Sequence, residues 1–206
     1  MSLFEEKHQL ILSAGTQVFL KKGYLGTNME EIATEASVSK QTVYKHFASK
    51  EVLFTEIITN LTSRKTADSY KSLKPAIEVR DIKKYLVGYA VGELSVLLTP
   101  EVIQLRRLVI GEAERFPKLA AVYYKNGPKL AFLKLADLFD HFCKQGLLQI
   151  ADKKKAAEDF NWLILSAYLN QAMFLGKSSL PNQKEIRKHA VHSVSIFLKF
   201  YGKNRK

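Results

Sequence analysis

Between Ser37 and Lys50 the chain carries Lys40, Lys45, Lys50 and His46 with no acidic residue, and Gln41, Thr42 and Tyr44 add an amide and two hydroxyls. Side chains of these types donate hydrogen bonds to phosphate oxygens or base edges, so the stretch is a candidate phosphate-facing surface. Wound as a helix, it turns Val38, Val43 and Phe47 inward and leaves Lys40, Gln41, Thr42, Tyr44, Lys45 and His46 as outward donors. Catalytic constellations are missing by comparison. His189 and His192 stand three apart and Asp137 and His141 four apart, but neither pair has a third metal ligand, and a dimer face or a solvated face explains them more simply. Cys143 falls among Leu138, Phe139, Phe142 and Leu147, where a buried thiol is inert. There is no G-x-S-x-G elbow, phosphate-binding loop or dinucleotide fingerprint. The expectation is a binding protein without catalytic activity, metal or cofactor.

Composition narrows the partner. The chain has 206 residues, 47% hydrophobic and 25% charged, the balance of an ordinary globular protein. A single cysteine excludes an intramolecular disulfide framework and favours a reducing compartment. The longest apolar tract, Phe160 to Gly176, is interrupted by Asn161, Ser166, Asn170 and Gln171 and is too short and polar for a membrane span. Glu5 and Glu6 stand where a secretory signal would carry positive charge. A soluble, cytoplasmic protein with no membrane partner is expected. The net charge of +12 suggests a polyanionic partner. Residues 1–50 carry six basic and five acidic side chains and residues 51–206 carry 26 and 15, so bulk charge alone would point away from the Ser37 to Lys50 stretch.

The elements that must position these groups are all helical, because apolar residues recur at helical spacing and Gly and Pro fall between the runs. The first helix is expected from Glu5 to Lys22, with Leu10, Ile11, Ala14, Val18 and Phe19 as its apolar stripe and Gly23 at its end. Thr27-Asn28-Met29-Glu30 reads as a capping box opening a second helix, Glu30 to Ala36. Ser37-Val38-Ser39 breaks the chain, a third helix runs from Lys40 to Phe47, and a long fourth helix restarts at Ala48-Ser49-Lys50-Glu51. Prolines at 75, 100, 117, 128 and 181 and the Gly146 region divide the rest into helices near 81–98, 101–114, 118–125, 129–145, 155–176 and 183–201. Two short helices joined by a three-residue turn form a helix-turn-helix, whose second helix fits a major groove about 12 Å wide.

The stretch Leu10 to Phe54 closely resembles the DNA-binding domain of TetR family transcriptional regulators. The resemblance rests on Gly23-Tyr24, Thr27-Asn28-Met29-Glu30-Glu31-Ile32-Ala33, Val38 through Phe47, and Ser49-Lys50-Glu51-Val52-Leu53. It implies that Thr27 and Lys50, at the starts of the second and fourth helices, clamp phosphates. It implies that Tyr44 and His46 also touch phosphate, that Thr42 bridges backbone and base, and that Lys40, Gln41 and Lys45 reach into the groove. Gln41 departs from the glycine of many members; its amide can read adenine bidentately, which makes it the leading candidate for sequence preference.

The resemblance also implies an all-α fold of about nine to ten helices: a three-helix DNA-binding domain over 1–50 and a helical effector-binding and dimerisation domain over 51–206. Gln104 to Phe139, around Arg107 to Pro117, resembles the AefR-like subgroup. A cavity for an unidentified small-molecule effector is expected between the fourth helix and those near 81–98, 101–114 and 129–145, lined by Phe54, Ile58, Tyr85, Tyr89, Leu105, Arg106, Phe132 and Phe139. Independently, the last two helices are apolar over more than one stripe and read as a twofold interface. Phe160, Leu163, Ile164, Ala167, Tyr168, Gln171 and Leu175 fall on one, and Ile186, Ala190, Val194, Phe197, Leu198 and Tyr201 on the other. The function expected is that of a homodimeric, ligand-responsive regulator, a repressor released from a double-stranded DNA operator by its effector. The alternative is a helical adaptor that keeps the helix-turn-helix shape without using it on DNA.

Overall fold

The computed structural model describes residues 2–71, 79 and 81–203, the side chains of 62–71 excepted. These residues form ten α-helices: α1 (Leu3–Lys22), α2 (Met29–Glu35), α3 (Lys40–His46), α4 (Lys50–Lys71), α5 (Ile82–Leu97), α6 (Pro100–Gly111), α7 (Pro117–Asn126), α8 (Pro128–Lys144), α9 (Lys153–Leu175) and α10 (Gln183–Tyr201), with a 3-10 turn at Gly176–Ser179. No strand occurs among the described residues; Leu148 and Gly202 form an isolated bridge. The all-helical expectation holds, with boundaries within a few residues. The break expected at Pro75 lies outside the described residues.

Local chemistry sets the helix starts. Ser2 and Glu5 close a capping box on α1, Asn182 and Glu185 close another on α10, and Asp81 and Asp152 each accept a backbone N–H at the starts of α5 and α9. Gly23, at φ +77°, ends α1 in a conformation that costs a residue with a Cβ far more than glycine.

Residues 1–63 and 104–126 make one compact unit, and 64–103 with 127–206 the other. In the first, α1, α2, α3 and the amino-terminal half of α4 surround a core of Ile11, Phe19, Tyr24, Ile32, Val43, Phe47, Leu53, Phe54 and Ile57, joined by Leu105, Val109, Leu119 and Tyr123. Leu10, expected in the buried stripe of α1, is exposed. In the second, α5, α8, α9 and α10 bury Leu86, Tyr89, Leu135, Phe139, Phe142, Phe160, Ile164, Ile186, Val194 and Phe197. Packing therefore divides the chain elsewhere than residue 50: α4 runs unbroken from Lys50, and 104–126 share the first core. No single helix among the described residues is long and apolar enough to cross a membrane.

Candidate nucleic-acid interface

Helices α2 and α3 are joined through a turn in which the Val38 N–H donates to the Ala33 carbonyl at 3.0 Å. Ser37 adopts φ +53° there, a left-handed conformation that costs an L-residue energy. Ser39 caps α3 by accepting the Thr42 N–H at 3.1 Å, and the two hydroxyls lie 2.8 Å apart. Val43 and Phe47 are fully buried and Val38 packs against the same core, so this side of α3 is fixed from behind. Gln41, Tyr44 and Lys45 are exposed and Thr42 is half-buried. Tyr44 stays 46% exposed, high for a tyrosine on a helix whose opposite side is a core.

The other candidates are not all free. Lys40 is exposed and ion-paired with Glu30 of α2; the hydrogen bond and the nearby ammonium hold the Glu30 carboxyl below its ordinary value and raise the Lys40 amine. DNA contact through Lys40 must compete with that pair. Lys50 Nζ donates to the carbonyls of Tyr24 and Thr27, each at 2.9 Å, and sits 4.7 Å from the centre of the Tyr24 ring. It thereby ties the start of α4 to the link between α1 and α2.

Two expectations need correcting. Thr27 does not cap α2: it is 2% exposed and its hydroxyl donates to the Gly23 carbonyl at 2.7 Å. The adjacent Asn28 takes the cap by accepting the Glu31 N–H at 2.9 Å, so Thr27 has no free hydroxyl for phosphate. Two capping residues stand side by side in the sequence, and the higher ranking of Asn at that position was the available signal. His46 does not point outward either. Its ring stacks on Phe4 of α1, with centroids 4.1 Å apart, and its Nδ1 is buried without a hydrogen-bond partner. Burial, followed by His8, Lys45 and Lys7, pushes its pKa below the ordinary 6.5. Nothing local announces Phe4, which lies far upstream on another helix.

The residues expected to line an effector cavity fall in both compact units. In the first, Phe54, Ile58 and Leu105 are core residues, and half-buried Arg106 donates from Nε to the Tyr123 hydroxyl at 3.2 Å. In the second, Tyr89 and Phe139 pack against Phe160, Tyr85 meets the Phe142 ring edge-on, and Phe132 is half-buried. A separate open cleft of about 460 Å³ lies between α1 and the turn before α3, lined by Leu3, Glu6, Lys7, Leu10, Glu35 and Val38 among others.

Six of the thirteen expected dimer residues are also relocated. Phe160, Ile164, Ile186, Ala190, Val194 and Phe197 lie inside the second unit's own core, because α9 packs against α8 and α10 and α10 also packs against α5. They are corrected from interface to interior. Leu163, Tyr168, Leu198 and Tyr201 are half-buried, while Ala167, Gln171 and Leu175 are exposed. The outer faces instead present Trp162, Phe174, Val191, Ile196 and Phe200, with Phe174 77% and Phe200 80% exposed. The spacing Trp162, Ser166, Asn170, Phe174 was legible as one helix face. His189 stitches the pair by donating from Nε2 to the Ile164 carbonyl, as Ser193 does to Leu163, both at 2.9 Å.

Comparison with known proteins agrees with this arrangement. Residues 11–57 match the family model described as bacterial regulatory proteins, tetR family, and residues 84–203 match that of the AefR-like transcriptional repressor, C-terminal domain. A crystal structure of a TetR-family transcriptional regulator from Mesorhizobium loti superposes with a TM-score of 0.90 at 36% identity, covering 98% of this chain and 100% of that one. The flavonoid-responsive regulator FrrA gives 0.78 at 28% identity, over 98% and 100%. The uncharacterised helix-turn-helix-type transcriptional regulator YvkB of Bacillus subtilis is 25% identical over 92% of this chain and 94% of its own. Three other curated relatives are matched over only 38% to 52% of their own length.

Proposed function

Because the chain belongs to the TetR family of helix-turn-helix transcriptional regulators, we propose that it works as a homodimeric repressor whose two α3 helices occupy successive major grooves of a quasi-palindromic operator. The observation that carries this reading is the division of α3. Val43 and Phe47 anchor it in a core, while Gln41, Tyr44 and Lys45 stand free on the opposite side. Gln41 reads a base, with an adenine as its best partner. Tyr44 and Lys45 hold the phosphate backbone, and Lys40 joins them when DNA displaces Glu30. Lys50 keeps its two carbonyl contacts and offers its remaining proton to phosphate. Two copies would place their recognition helices about 34 to 36 Å apart, one helical turn, or a multiple of that.

The outward faces of α9 and α10 support dimerisation, since Trp162, Phe174, Leu175, Val191, Ile196 and Phe200 are large apolar side chains left exposed there, a surface that a twofold contact would bury. An effector that prefers the released conformation lowers operator affinity by its differential affinity for the two states. Moving the population from 1:99 to 99:1 takes about 5.5 kcal/mol of such preference. FrrA is flavonoid-responsive by name, so planar aromatic compounds are the class to screen first.

Selecting genomic fragments on the purified protein tests the reading. The expected result is enrichment of one or a few quasi-palindromes, bound with an affinity that falls steeply with added salt as phosphate counterions are released. No enriched sequence, with fragments retained weakly or not at all, would favour the adaptor reading.

A further inference from the structure

The carboxyl end of the recognition helix rests on the first turn of α1. His46, the last residue of α3, stacks on Phe4 with centroids 4.1 Å apart, and His8, one turn further along α1, stacks on Phe47 at 4.6 Å. His8 in turn donates from Nε2 to Glu56 of α4 at 2.6 Å. Three helices thus converge on a cluster of two imidazoles and two phenyl rings, with 5.7 Å between the imidazoles. Phe4 is half in water and would be a poor core residue; what it covers is the ring at the end of α3.

We propose that Phe4 and His46 are positioning residues for DNA binding: the first turn of α1 fixes the carboxyl end of α3 through a stack that holds only while His46 is neutral, so operator binding weakens as the pH falls below neutrality. The proposal rests on the reading of α3 as the DNA-contacting helix. Neutral imidazole suits the site because its Nδ1 is buried and finds no partner. A proton on Nδ1 would be a buried donor without an acceptor, which is costly. The charged groups around it do not offset that cost. Lys7 and His8 act on it from α1 and Lys45 from its own helix, and Glu56 of α4 bonds His8. The burial and cationic neighbours that depress the His46 pKa act in the same direction. A protonated ring relieves the conflict by leaving the stack for water, which frees the last turn of α3 just where Tyr44 and Lys45 must be held.

The experiment measures fluorescence anisotropy of the full-length protein on a labelled duplex recovered by the genomic selection, at pH 7.5 and 5.5. It compares wild type, Phe4→Ala, Phe4→Tyr and His46→Phe, and follows the Phe4 and His46 ring protons of the free protein by NMR across the same range. Wild-type Kd should rise by roughly three- to tenfold on acidification, because binding then requires His46 to lose its proton again. His46→Phe should lose the pH dependence, its Kd at pH 7.5 and 5.5 agreeing within about twofold. Phe4→Ala should bind weakly at both values, and Phe4→Tyr, which keeps the stack, should restore the wild-type profile. In the free protein, contacts between the two rings should vanish as His46 titrates. The proposal is overturned if wild type binds more tightly at low pH and His46→Phe abolishes that gain, for His46 would then meet phosphate directly. It is equally overturned if all four proteins share one profile, or if the ring contacts persist through the titration. If wild type binds no duplex in a salt-dependent way, the reading of α3 fails instead, and the ring contacts still decide whether the stack responds to protonation.

Discussion

The recognition helix α3 and the terminal pair α9 and α10 both mix apolar and polar residues, but they divide them differently. On α3 the division is sharp: Val43 and Phe47 are fully buried, while Gln41, Tyr44 and Lys45 are exposed on the other side. On α9 and α10 apolar residues face both ways, with Phe160, Ile164, Val194 and Phe197 in the core and Trp162, Phe174, Ile196 and Phe200 in water. A helix with one apolar stripe declares its inner face. A helix with two states only that both are needed, and assigning one to the protomer and the other to a partner requires knowledge of which helices pack against it.

Substitutions on the two faces of the terminal pair give the largest contrast. Phe197→Ala removes a fully buried ring that packs against Phe139 and Phe160 and should cost about 3–5 kcal/mol in denaturant unfolding. Phe174→Glu, on the outer face, should leave the folded protomer intact by circular dichroism while shifting sedimentation from dimer to monomer and altering emission of the single tryptophan, Trp162. A smaller effect is expected at Lys50. Its replacement by Met leaves the Tyr24 and Thr27 carbonyls without their donor, and stability should fall by about 2 kcal/mol. Smaller still, Ser37→Gly should raise stability by about 0.5 kcal/mol, since glycine relieves the positive φ but gains freedom in the unfolded chain. A thermal-melt series against pH adds a matter of sign. The depressed His46 pKa means that the unfolded chain binds the proton more readily. Its contribution is therefore complete above about pH 6.5 and lost as pH falls from there, a loss that His46→Phe should lack.

Much of this was legible in the residues themselves. The ends of the first helices were marked by Gly23 and the Ser37-Val38-Ser39 break, which act within a few residues of where they stand. Asp81, Asp152 and Asn182, by contrast, cap helices whose limits were legible only from proline and glycine positions. The anchored side of α3 followed from the spacing of Val38, Val43 and Phe47. What the sequence withheld depends on neighbours that arrive from elsewhere. Thr27 turns back to Gly23 because Asn28 takes its place, Lys50 is drawn to carbonyls more than twenty residues away, and His46 is covered by Phe4 from α1. Residue type announced donors at all three positions, and the packing decided whom they serve.

The measurement closest to the central claim is operator affinity of a Tyr44→Ala, Lys45→Ala double variant, set beside wild type and Phe174→Ala at protein concentrations where all three are dimeric. Affinity should fall by at least about tenfold for the double variant, with a shallower salt dependence, and stay within about twofold of wild type for Phe174→Ala. Equal affinity in all three, with circular dichroism unchanged, would contradict the assignment of the exposed side of α3 to DNA.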